Sequence, residues 1–218
     1  MSNKPLCFLA AISLFASTAA ADPLRYRSQP ERDRAWVIDA KGLFLEEGRK
    51  PRRAIHLPDW QWAGERYACA PDIAFGPRGE VVVTSNVLPV LWKIDPTTLA
   101  VSVHRVELDA DTDKDVGFSG LVYSERNGAY FAVSELHGSL WRIDPLLRRA
   151  QKVSIEGHAR GACAVSVQRQ QRASIFSRLC LHGRDGSSIV HLAADQRSAY
   201  LQAAGCYANP YTLIGGMR

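Results

Sequence analysis

Two stretches of the chain carry residue types that do chemistry. The first is "DADTDKDVG", where Asp109, Asp111, Asp113 and Asp115 occupy alternate positions. Carboxylates at every second residue let a tight loop wrap oxygens round a hard cation, and Ca2+ is the ion such a run suits. It is not an EF-hand loop, because Lys114 stands where the sharp-turn glycine belongs and Gly120 where the bidentate glutamate belongs. A solvated acidic linker is the other reading of the same residues. The second stretch is "SELHGS", which sets His137 two residues after Glu135 and makes it the candidate acid or base. There is no G-x-S-x-G elbow and no phosphate-cradling glycine pattern, so nucleophilic hydrolysis and nucleotide binding have no motif here.

The elements that position these residues read as strands. Short runs such as "EVVVTS" (80 to 85), "AYFAVS" (129 to 134) and "SIVHLA" (188 to 193) are rich in β-branched and aromatic residues and bounded by Gly, Pro, Asn and Asp. Residues 71 to 108 and 119 to 155 repeat one order: strand, Gly turn, strand ending in Ser, polar turn, Trp strand closing on Asp-Pro, alternating strand. Residues 160 to 204 hold a looser copy without the Trp. A repeat of roughly 42 to 49 residues with four strands is the length of one propeller blade. The fold class expected is therefore all-β, a β-propeller of four-stranded antiparallel blades. Residues 34 to 58 read as third and outer strands that borrow residues 206 to 216 to make a composite or incomplete blade. This arithmetic leaves a four-bladed ring or a piece of a larger one.

The strings "LWKIDP" (91 to 96) and "LWRIDP" (140 to 145) mark the third strand of successive units. Trp92 and Trp141 are expected to fill the wedge between blades. Asp95 and Asp144 are expected to accept turn amides, and Pro96 and Pro145 to stop the strand. On this map the channel mouth collects Asp72, Asn86, Ser119, Glu135, His137, Arg160 and Asp185, with Ser119 and Arg160 as ligand contacts.

The segments "FSGLVYSERNGAYFAVSELHGSLWRIDP" and "PDIAFGPRGEVVVTSNVLPVLWKID" resemble blades of the broad superfamily of NHL-type, gluconolactonase-like and SdiA-regulated exported β-propellers. The resemblance implies the fold over residues 34 to 216. From the gluconolactonase-like members it also implies a divalent cation held by Asp72, Asn86 and Glu135, with His137 or water in the acid–base role.

A positive start, the apolar run "PLCFLAAISLFA" and small residues at 19 to 21 predict a signal peptide over residues 1 to 21, followed by the propeller domain at 22 to 218. No membrane span is expected after cleavage, and the protein is placed in the periplasm or secreted. An even set of Cys69, Cys163, Cys180 and Cys206 then reads as two disulfides. Of three connectivities, Cys163–Cys180 with Cys69–Cys206 follows from the blade map. A net charge of +5 with scattered arginines argues against nucleic acid. Two functions are expected: a binding or scaffold module for a protein, peptide, glycan or small molecule, or a metal-dependent lactonase- or phosphoester-type hydrolase.

Overall fold

In the computed structural model, described over residues 25–61, 63, 69–109, 116–156, 161–167, 177–183 and 186–203, the chain is all-β. Sheet I is a meander of β1 (Arg25–Gln29), β2 (Arg34–Asp39), β3 (Gly42–Glu47) and β4 (Arg53–Ile55). Sheet II runs through β5 (Ile73–Phe75), β6 (Val81–Thr84), β7 (Val90–Ile94) and β8 (Val101–Arg105). After the two-residue β9 (Glu107–Leu108), sheet III follows as β10 (Gly120–Ser124), β11 (Ala129–Ser134), β12 (Ser139–Ile143) and β13 (Arg149–Glu156). Sheet IV is β14 (Ala162–Val167), β15 (Ser177–Gly183), β16 (Gly186–Leu192) and β17 (Ser198–Ala203). Within each sheet every pairing is antiparallel, while β13 pairs in parallel with β17 and with β9, which joins sheets III and IV along their outer strands.

Sheet I departs from the expected composite. Residues 34 to 39 form its second strand, because the short loop after "RYRSQ" folds β1 back against β2 with Arg25 opposite Ile38 and Gln29 opposite Arg34. The sheet therefore has four strands of its own, and residues 206 to 216 lie outside the described residues. The loss of alternation in "RYRSQ", whose residues are polar on both faces, is why this strand carried no clear signal.

Three apolar cores hold the sheets together. Trp36, Ile38, Leu43 and Leu45 of sheet I pack with Ile73, Val83, Trp92 and Ile94 of sheet II. Leu91 and Val82 pack with Phe118, Tyr130, Trp141 and Ile143 across the next seam. Phe131, Val133 and Leu140 pack with Val165, Leu179, Val190 and Leu192 across the third. Trp92 and Trp141 are fully buried in these seams, and each removes roughly 200 Å2 from water. At about 25 cal/mol per Å2 that is an upper value of about 5 kcal/mol per side chain. Asp95 takes the amides of Thr97 and Thr98, and Asp144 those of Leu146, Arg148 and Arg149, so both aspartates close their turns as the repeated string predicts.

Candidate site at the mouth of the channel

The first strands of the sheets lie in succession, β1 against β5, β5 against β10 and β10 against β14, and their polar residues meet there. Alternation along β1 sends Arg25 and Arg27 to one side. Arg27 donates to both oxygens of Asp72, at 3.1 and 3.2 Å, and to the Ile73 carbonyl at 3.0 Å. Asp72 is wholly buried, and its oxygens also accept the amides of Ile73 at 2.9 Å and Leu121 at 3.0 Å. Arg25 lies 3.7 Å from the same carboxylate and donates to the carbonyls of Ser119 at 3.3 Å and Cys163 at 2.7 Å. Two guanidinium groups from sheet I thus tie sheets II, III and IV through one aspartate and three carbonyls. The Asp72 oxygens are spent on this strut.

Above it, the turns that leave the second strands converge. Ser85 and Asn86 follow β6, and Glu135 and Leu136 follow β11. Asn86 Nδ2 donates to the carbonyls of Ala63 at 3.1 Å and Cys69 at 3.2 Å, while Glu135 Oε2 accepts the Cys69 amide at 3.2 Å. Asn86, Ser119, Ser134, Glu135, Cys69 and Gly117 enclose a cavity of about 10 Å3, the size that admits one water. Two oxygens of these cavity-lining residues, Asn86 Oδ1 and Ser134 Oγ, are buried without a hydrogen-bond partner in residues only 3% and 1% exposed. Buried polar atoms of this kind call for a bound group. Gly117 is required here, because a Cβ would run into the Asn86 backbone. Gly120 is required for a related reason, its Cβ position falling 2.8 Å from the Ala164 Cα of the neighbouring first strand.

The sequence-level candidates are therefore partly gathered. Asn86, Ser119 and Glu135 share one cavity, whereas Asp72 belongs to the arginine strut. His137 occupies the turn after Glu135, half-buried and outside the cavity lining. Of the acidic run only Asp109 is described. It fastens the end of β9 to β13, accepting the Lys152 amide at 2.8 Å and donating its own to the Ala150 carbonyl at 3.1 Å. Asp111, Asp113, Asp115, Arg160, Asp185 and Cys206 lie outside the described residues. Among the described residues no three His, Cys, Asp or Glu side chains are placed to hold a metal ion together.

The disulfide pairing is corrected. Cys69 is bonded to Cys163, with Cα atoms 5.2 Å apart and 94 residues between them in sequence. With Cys69 and Cys163 joined to each other, Cys163–Cys180 and Cys69–Cys206 both fail. Register explains the first failure: Cys180 sits opposite Ser166 on β14, not opposite Cys163. The second fails because Cys69 is bonded to Cys163 of β14. Arg25, Arg27 and Ser134 are not among the sequence-level candidates, and nothing local in "RYRSQ" marks the arginines.

No protein-family model matches the sequence, and no curated protein matches it. Solved structures do. An auxiliary nutrient binding protein from Bacteroides thetaiotaomicron superposes with a TM-score of 0.55 at 9% identity, over 87% of this chain and 43% of its own. One from Bacteroides ovatus gives 0.51 at 13% identity, over 78% and 44%. Virginiamycin B lyase from Staphylococcus aureus gives 0.46 at 12% identity, over 82% and 66%. The fold resembles that of the NHL-like β-propellers. The chain spans about half the length of the two nutrient-binding proteins.

Proposed function

We propose that the protein is an exported β-propeller binding module, its sheets I to IV acting as four blades, and that it takes its ligand on the rim of the channel mouth. The observation that carries this is the strut at Asp72, which fills the space between the first strands. A substrate cleft is absent there among the described residues: Asp72 is saturated, and the space beneath Glu135 holds about 10 Å3, against the several hundred needed for an organic substrate. What the mouth offers a partner is its rim, where Leu136 is 57% exposed beside His137. The nutrient-binding neighbours support a binding role by their names alone. The Cys69–Cys163 bond supports an oxidising compartment, reached through the signal peptide at residues 1 to 21. A protein, peptide, glycan or small molecule remains the partner class, and nucleic acid is not expected.

Binding of the mature chain to immobilised peptide and glycan arrays tests this. Signals lost in Leu136→Asp, with melting unchanged, support the rim. Hydrolysis of lactone or phosphodiester substrates that disappears in His137→Ala would overturn it in favour of an enzyme.

One observation favours a second reading. Asn86 Oδ1, Ser134 Oγ and the Glu135 carboxylate are oxygen donors of the kind Ca2+ takes. These residues would hold the ion, which when bound would polarise a substrate oxygen or acidify a water. A Ca2+-dependent rise in melting temperature that is lost in Asn86→Ala and Glu135→Ala, but kept in Asp109→Ala, identifies that site. An unchanged melt in chelator and in Ca2+ eliminates it.

A further inference from the structure

Large aromatic side chains in this protein are mostly hidden; Trp36, Trp92, Trp141, Tyr130, Phe118 and Phe131 are all fully buried. Tyr200 on β17 is different, with 49% of its surface exposed. Its ring lies flat on His191 of β16, centroids 4.5 Å apart and planes within 2° of parallel. His191 is itself buried and fixed, its Nε2 lying 2.9 Å from Gln202 Oε1. One face of the phenol is therefore covered and held, and about half of the side chain stays open to solvent beside Glu156. An aromatic ring ordered by a stack but left half bare is a preformed platform, and it loses little freedom on receiving a ligand.

The surroundings say what would lie on it. Register places Glu156 of β13 directly beside Tyr200, with His191 on the other side and Arg178 beyond it on β15. Directly paired residues share a face, so the four form one row across the sheet. Gln202, two residues on from Tyr200, adds an exposed amide to the same face. Arg178 Nε is buried without a hydrogen-bond partner. A flat apolar surface rimmed by a carboxylate, an amide and a guanidinium matches a pyranose ring, whose C–H face is apolar and whose equatorial hydroxyls both donate and accept.

We infer that Tyr200, with Glu156 and Gln202 beside it, is a carbohydrate-stacking site on the face of sheet IV, separate from the channel mouth. Neutral oligosaccharides are the ligand class. Cellohexaose, xylohexaose and mannohexaose serve as probes, titrated calorimetrically into the mature chain. At least one should bind, with affinity at least tenfold weaker in Tyr200→Ala and within about threefold of wild type in Tyr200→Trp. Glu156→Gln should weaken binding severalfold. Melting temperature and near-ultraviolet dichroism establish that each variant is folded. The inference is overturned if none of the three sugars binds the wild type, if Tyr200→Ala binds as well as wild type, or if choline binds through Tyr200 while no sugar does.

Discussion

Asp72 shows how burial decides what a carboxylate does. With no exposed surface, two guanidinium groups against it and two amides on its oxygens, it holds the first strands together. Asp72→Asn keeps the shape but strands Arg25 and Arg27, which are 16% and 17% exposed. A loss of about 3 kcal/mol is expected from uncompensated buried charge, read as a lower midpoint in urea; a change below 1 kcal/mol would mean the strut is not an energetic tie. His182 is the residue through which acid should act. Its ring nitrogens lie 2.9 Å from Ser166 Oγ and 3.1 Å from Ser187 Oγ, and burial, with the charge of Arg27 added, holds its pKa below the usual 6.5. The unfolded chain therefore takes up the proton first, so stability is intact above pH 6.5 and declines as pH falls from there through the folded-state pKa. Melting between pH 7 and pH 5 should show this slope, and His182→Gln should flatten it. Glu47 and Asp95 act the same way in a more acid window, the first held down by Arg34 and the second by the amides of Thr98 and Thr97.

At the level of elements, the blade repeat is legible because it rests on local physics. The Trp strand is apolar on both faces, so it must be interior, and the Asp-Pro that follows has one turn to make. Trp141→Ala should cost about 3 to 5 kcal/mol, since Phe118 and Tyr130 cannot collapse into the space left in a seam between two sheets. Asp144→Ala should cost about 1 to 2 kcal/mol, from three amides left without an acceptor. If the order of these two effects were reversed, the string would be chiefly a turn signal. Legibility fails where the determinant is non-local. Asn86 and Glu135 were found because equivalent turns of successive units point the same way. Arg25 and Arg27 were not, because nothing within "RYRSQ" announces a buried carboxylate 45 residues away. Cysteine pairing failed for the same reason: the blade map gives the strands, but not that Cys69 meets Cys163, 94 residues further on.

For the whole molecule, the seams are unequal. Apolar cores join sheets I to II, II to III and III to IV. Among the described residues sheets I and IV are joined by polar contact, through Arg25 on the Cys163 carbonyl, and Cys163 is also the point where sheet IV is bonded to Cys69. A single residue of β14 thus receives both ties that cross the channel. The bond closes a 94-residue separation, and losing a link of that span costs about 2 to 5 kcal/mol, mostly through the freedom returned to the unfolded chain. Cys69 also presents its amide to Glu135 and its carbonyl to Asn86, so opening the bond loosens the cavity as well as the tie to sheet IV. The paired change Cys69→Ser with Cys163→Ser should therefore lower the denaturation midpoint by that amount and speed hydrogen exchange at the Cys69-equivalent amide and in β14. Exchange in β6 and β7, inside an apolar seam, should stay slow. Peptide mapping without reductant should recover residues 69 and 163 in one linked fragment. Recovery of Cys163 linked to Cys180 instead, or uniform acceleration of exchange across all four sheets, would show that the cross-channel bond is not what fastens sheet IV.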